Sequence, residues 1–137
     1  MTKIPPLRIK DVMTRSAHSI APNATLRAAK ELMQYHTIRH LPVVQDDRVV
    51  GILSLGDLYA MESIMEMDPE ETEVATAMSP DPFTVEAETP LGEVVRAMAR
   101  RRIGSVLITR DGRLAGIFTA TDACRLLGDL LHGNVFA

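Results

Sequence analysis

At 137 residues, 46% of them apolar and 24% charged, the chain has the length and composition of one compact domain or of two small units sharing a core. A net charge of −3, no long basic stripe, 4% aromatics and no tryptophan argue against a nucleic-acid binder. No apolar run reaches the length of a membrane span, the opening MTKIPPLRIKDVM lacks a signal peptide's hydrophobic stretch, and Cys124 is the single cysteine; a cytoplasmic protein with no membrane association is expected.

In chain order, a lead-in segment, IKDVMTR, precedes a short extended piece, HSIAP. Leu26, Ala29, Leu32 and Met33 then follow the spacing of an amphipathic helix. Two β-rich runs come next, LPVV and RVVGILS, joined by QDD, and after them a second helix, LYAMESIMEM. In the connector MDPEETEVATAMS, Asp68 before Pro69, with Glu70 and Glu71 following, reads as a capped helix start with acids favourably placed on its dipole. The same order then recurs. FTVEA is extended, and Leu91, Val94, Val95 and Met98 mark a helix with Thr89 and Pro90 suited to its cap and first turn. SVLIT and RLAGIFT are joined by RDG, where Asp111-Gly112 signals a tight hairpin, and ACRLLGDLL is the last helix.

The recurrence is an internal duplication at an offset of 65 residues. Met13 falls on Met78, Leu26 on Leu91, Met33 on Met98, Ile38 on Ile103, Arg48 on Arg113, Gly51 on Gly116 and Asp57 on Asp122, with no gap between residues 11 and 122. EVATAMS repeats IKDVMTR, so the lead-in belongs to the unit. Each unit reads β-α-β-β-α, an α+β class, with the first repeat at 7–67 and the connector and second repeat at 68–137. A unit of about 60 residues has a marginal core alone. Two copies are therefore expected to pack sheet against sheet about a pseudo-two-fold axis into one module.

Each copy ends its last strand on a hydroxyl followed three residues later by an aspartate: Ser54 with Asp57 in GILSLGD, Thr119 with Asp122 in GIFTATD. Two readings stand. The pattern is a capping box, satisfying orphan N–H groups at a helix start. It also suits a nucleoside phosphate, because an aspartate there can accept two hydrogen bonds from a vicinal diol and a helix start favours an anion. On the second reading, Gly51 and Gly116, three positions before the hydroxyls, let a ligand approach the backbone closely.

With these motifs in order, twice, the chain resembles a tandem CBS (cystathionine β-synthase) domain pair, or Bateman module, from about residue 7 to about residue 131. The resemblance rests on DVMT and TAMS, SIAPNATL and TVEAETPL, IRHLPVV and IGSVLIT, and GILSLGD and GIFTATD. It implies a stand-alone regulatory module that binds adenosine-type ligands in two clefts between the copies and signals occupancy to an unidentified partner protein. Asp57 and Ser54 would bind ribose and phosphate opposite Thr84 and Val85; Asp122 and Thr119 would do so opposite Ser19 and Ile20. Family ligands include AMP, ADP, ATP, S-adenosylmethionine, NAD and cyclic dinucleotides, and no obligatory cofactor is implied. A disc-like homodimer built through LYAMESIMEM and ACRLLGDLL is also implied, both runs being more apolar than a solvated helix needs.

Arg39 and His40 stand where family members carry phosphate-binding residues, with solvated side chains the alternative; copy two has Gly104 and Ser105 there. Arg100, Arg101 and Arg102 suit a helix C-terminus, and Arg102 is the best placed of them to reach a phosphate. His36 and His40 have a metal-compatible spacing but straddle a helix end with no completing ligand, so no metal site is expected. His18 and His132 read as isolated, Cys124 as a buried small apolar residue and the methionines as core filler. No catalytic residue set is visible, and the chain is not expected to be an enzyme. The rival readings are a ligand-free interaction module and a small enzyme acting on nucleotides.

Overall fold

The computed structural model describes residues 6–15 and 18–133; residues 134–137, the end of the expected second repeat, lie outside them. The elements are α1 (Ile9–Val12), β1 (Thr14–Arg15), α2 (Leu26–His36), β2 (His40–Gln45), β3 (Arg48–Ser54), α3 (Leu55–Tyr59), a π-helical turn (Ala60–Ile64), α4 (Val74–Ala77), β4 (Thr84–Glu86), α5 (Leu91–Arg101), β5 (Ser105–Arg110), β6 (Arg113–Thr119) and α6 (Ala120–Leu131). The fold is α+β, with the two β-α-β-β-α repeats in the order the sequence reading gives.

The described residues divide into two compact units, and neither is a continuous stretch. Residues 6–15, 83–110 and 115–133 form one; residues 18–82 and 111–114 form the other. The lead-in of the first copy thus sits on the sheet of the second: β1 pairs antiparallel with β6, Thr14 opposite Ile117 and Arg15 opposite Gly116. The lead-in of the second copy bridges the sheet of the first, Ser79 opposite Ile52. In the unit holding α5, the sheet order is β1-β6-β5-β4, with β4 parallel to β5. In the unit holding α2, β2 and β3 pair antiparallel, and both outer strands shrink to single bridges, Ile20 to Val43 and Ser79 to Ile52.

At an offset of 65 the lead-ins also make matching backbone bonds. Ile9 N donates to Thr89 O at 2.8 Å, as Val74 N does to Ala24 O at 2.8 Å. Leu91 N donates to Leu7 O at 2.8 Å, as Leu26 N does to Thr72 O at 2.9 Å. Lys10 Nζ adds a bond to Glu88 at 2.6 Å, which holds that carboxyl below its usual range. Each lead-in buries one apolar anchor completely, Ile9 or Val74. Such burial is worth about 1.5–3 kcal/mol per side chain. Ile9 joins Val94, Met98, Val106, Ile108 and Phe118; Val74 joins Leu26, Met33, Leu41, Val43, Leu53 and Leu58.

The tight turns follow their residues. Asp46 and Asp47 both take positive φ, 51° and 63°, as Asp111 and Gly112 do at 55° and 80°, the geometry that matches hairpin twist. Three local expectations change. Pro90, not Thr89, occupies the position before α5, while Thr25 caps α2 by accepting from Ala28 N at 3.1 Å. Thr89 lends its carbonyl to the lead-in instead. The connector forms a turn rather than a helix start at Pro69: Asp68 accepts from Glu70 N at 2.9 Å through its side chain, and Thr72 Oγ1 donates to Asp68 O at 2.7 Å. That local closure, with Thr72 O committed to Leu26, delays the helix to Val74. In the second helix of copy one the α-form ends at Tyr59. The wider π turn sets Met61 against the core and Glu62 3.2 Å from Lys30.

Candidate functional site

Both hydroxyl–aspartate pairs form complete capping boxes. Ser54 N donates to Asp57 Oδ2 at 2.8 Å, and Asp57 N donates to Ser54 Oγ at 3.0 Å. In the second copy Thr119 N donates to Asp122 Oδ2 at 2.9 Å, and Asp122 N to Thr119 Oγ1 at 3.2 Å. The extended φ of Ser54 and Thr119, −102° and −115°, turns each strand directly into its helix. Capping uses one carboxylate oxygen in each box. Among the described residues, Asp57 Oδ1 receives no hydrogen bond, whereas Asp122 Oδ1 accepts from Arg125 at 3.2 Å. Arg125 escaped the sequence reading, although its i, i+3 spacing from Asp122 marks a helical ion pair.

At Gly51 and Gly116 the chain itself approaches the backbone closely. A Cβ at Gly51 would lie 2.5 Å from Met78 Sδ and 2.8 Å from Ser79 O; one at Gly116 would lie 2.7 Å from both Met13 Sδ and Thr14 O. What approaches each glycine is the lead-in segment seated on that strand, and both glycines are buried beneath it.

The unit holding α2 brings together Ser19, Ile20, Arg39, His40, Ser54 and Asp57; the other holds Thr84, Val85, Arg102, Thr119 and Asp122. Ile20 is buried and bridges β2, while Ser19 is exposed. Their counterparts Thr84 and Val85 lie in β4, opposite Leu107 and Ile108. His40 opposes Ser54 across β2 and β3, and Arg39 O accepts from Leu55 N at 2.8 Å, as Gly104 O does from Ala120 N at 2.9 Å. These bonds hold the residues before the first hairpin strand against the start of the second helix in both copies. Burial pushes the His40 imidazole below its ordinary 6.5; the Asp57 carboxylate draws it up and Arg39 pushes it further down. Burial thus favours the neutral form of the His40 ring. Arg39 is exposed, and Arg102 ends α5 in a left-handed conformation, φ 54°. Arg101 lies over the Phe83 ring at 4.4 Å.

A groove of 510 Å³ is lined by Ile20, Ala24, Ala28, Glu31, Leu32 and Tyr35. Copy two has Glu93, Arg96 and Arg100 where copy one has Ala28, Glu31 and Tyr35, so the duplication does not repeat this apolar surface. His18 is not isolated: its ring stacks on His36 with centroids 3.5 Å apart, and Tyr35 meets His36 edge-on. Cys124 is exposed rather than buried, because α6 turns that face outward and buries no residue fully. Among the described residues no group of three metal-ligating side chains converges, and no helix is long and apolar enough to cross a membrane.

An uncharacterized protein of Methanocaldococcus jannaschii is 30% identical over 135 residues, covering 98% of this chain and 44% of its own length. The chain thus spans less than half of that curated relative. A CBS domain pair crystallised with 5′-methylthioadenosine and S-adenosyl-L-methionine is similar with a TM-score of 0.82 and 25% identity, covering 92% of this chain and 99% of that one. Another structure, CBSX2 in complex with AMP, has a TM-score of 0.78 and 26% identity, covering 90% of this chain and 98% of that one. The family model described as the CBS domain matches twice, at residues 9–61 and 73–129, and the chain belongs to the CBS-domain family as a tandem pair.

Proposed function

We propose that this CBS pair is a regulatory module that binds an adenosine-type ligand, AMP, ADP, ATP or a related adenosyl compound, and passes its occupancy to a partner protein. The observation that carries the reading is the division of labour within the boxes. Oδ2 of each aspartate closes the helix cap, and Oδ1 of Asp57 remains open to accept from a diol. Capping and ribose binding are therefore compatible in one residue. On this reading Asp57 and Asp122, with Ser54 and Thr119, hold ribose; Ser19, Ile20, Thr84 and Val85 line the base; Arg39, His40 and Arg102 serve phosphate. The adenosyl ligands of the related solved structures support the ligand class. The mechanism is binding rather than catalysis: a ligand that prefers one arrangement shifts the population toward it.

Association fits the same reading. Tyr59, Ile64 and Met65 of the first second-helix region and Leu127 and Leu131 of α6 are exposed, Ile64 by 78% and Leu131 by 76%. Such apolar surface is what a homodimer through these helices covers.

Native mass spectrometry of the purified protein, followed by thermal shift with AMP, ATP and S-adenosylmethionine, tests the proposal. A bound ligand raises the melting temperature by mass action. Replacing both Asp57 and Asp122 by alanine removes that rise and lowers the unliganded melting point modestly, losing a cap contribution of about 0.5–2 kcal/mol per site. A double variant that melts far lower yet responds fully to ligand would return the aspartates to capping alone.

A further inference from the structure

We infer that Arg125 makes the Asp122 site selective for phosphorylated ligands, while the Asp57 site also accepts nucleosides without a phosphate. The inference rests on the ribose role proposed above and adds the class of ligand that each site takes. The two boxes share the same pair of backbone bonds and differ in the further bonds that Asp122 accepts. Asp122 Oδ1 is held by Arg125 at 3.2 Å, and the position 65 residues earlier is Ala60, which offers Asp57 nothing comparable. Thr119 Oγ1 adds a bond to Asp122 Oδ2 at 3.0 Å, so both oxygens of Asp122 are engaged.

A diol approaching Asp122 Oδ1 competes with the guanidinium for that oxygen, setting bonds from neutral hydroxyls against a charge-assisted one. A nucleoside brings nothing to take up the displaced cation. A nucleotide brings a phosphate, the group a guanidinium binds best, often through two parallel bonds. The same ligand then frees the carboxylate and recaptures the arginine. Burial agrees with this division of roles: the Arg125 side chain is 68% exposed and free to swing, whereas that of Asp122 is 19% exposed and fixed by its cap. Asp57, with no such guard, presents Oδ1 to a ribose directly.

The test is calorimetric titration of the full chain with AMP and with adenosine, for the unaltered protein, Arg125→Ala and Ala60→Arg. Arg125 is a specificity residue on an exposed face, so its truncation leaves the fold standing, which a thermal melt verifies. In Arg125→Ala, the preference for AMP over adenosine falls about tenfold at one of two sites, the size of one charge-assisted hydrogen bond set against an exposed ion pair. Adenosine affinity rises there and AMP affinity drops. Ala60→Arg carries the same preference to the other site. An AMP-to-adenosine ratio unchanged by Arg125→Ala, in a protein that still binds AMP, overturns the inference and leaves the proposed function intact. An unaltered chain that binds neither AMP nor adenosine overturns both.

Discussion

Gly116→Ala is a direct test of what seats the lead-in segments. The added Cβ would lie 2.7 Å from Met13 Sδ and 2.7 Å from Thr14 O, against an optimal carbon contact of about 3.5–4.0 Å. The thioether can rotate away, but the carbonyl belongs to β1, which is paired with β6 at Thr14–Ile117 and Arg15–Gly116. Relief therefore requires β1 to lift by roughly 1 Å, straining the ladder and the burial of Ile9. Overpacking of this kind costs about 1–3 kcal/mol. Reduced freedom of the unfolded chain returns about 0.4–1 kcal/mol. The net loss of about 1–2 kcal/mol lowers the urea midpoint by roughly 0.5–1 M at a slope near 2 kcal/mol/M. Gly51→Ala, at 2.5 Å from Met78 Sδ and 2.8 Å from Ser79 O, behaves alike. Gly92→Ala is the control: nothing lies within 4 Å of its added Cβ, and in the first turn of α5 alanine costs no stability. Adding Met13→Ala to Gly116→Ala recovers only part of the loss, because Thr14 O remains in the way. A Gly116→Ala protein with a midpoint equal to or above that of the parent refutes the reasoning.

The pH dependence follows from His40. Its folded pKa lies below the unfolded 6.5, so the unfolded chain takes up the proton first; the His40 contribution is complete above 6.5 and is lost as pH falls below it. Urea midpoints at pH 7.5 and 5.5 should therefore fall further for the parent than for His40→Asn, and equal slopes would remove His40 as the cause. The proposed dimer predicts a single dimeric species in sedimentation velocity at micromolar protein, and Leu131→Lys with Ile64→Lys shifts it toward monomer; a monomeric parent at that concentration defeats the proposal.

The hairpins and the capping boxes were legible in the sequence because each is a local spacing, and the duplication because one offset of 65 residues aligns both copies. Asp111-Gly112 turns a hairpin, Ser54 reaches Asp57 N and Thr119 reaches Asp122 N whatever the rest of the chain does. The family resemblance came from the same short motifs in the same order. Other properties depended on residues far apart in the chain. The stacking of His18 on His36 and the exposure of Cys124 depend on how elements turn and pack, which spacing restricts without deciding. Above all, tertiary structure decided which lead-in serves which sheet. IKDVMTR and EVATAMS carry a branched apolar anchor, Ile9 or Val74, and the same methionine at matched positions, and Gly51 and Gly116 make the same seat. These shared features give neither lead-in a preference for one sheet; the path of the folded chain assigns Ile9 to one core and Val74 to the other, and the bond of Lys10 to Glu88, which the other copy does not repeat, favours the same assignment.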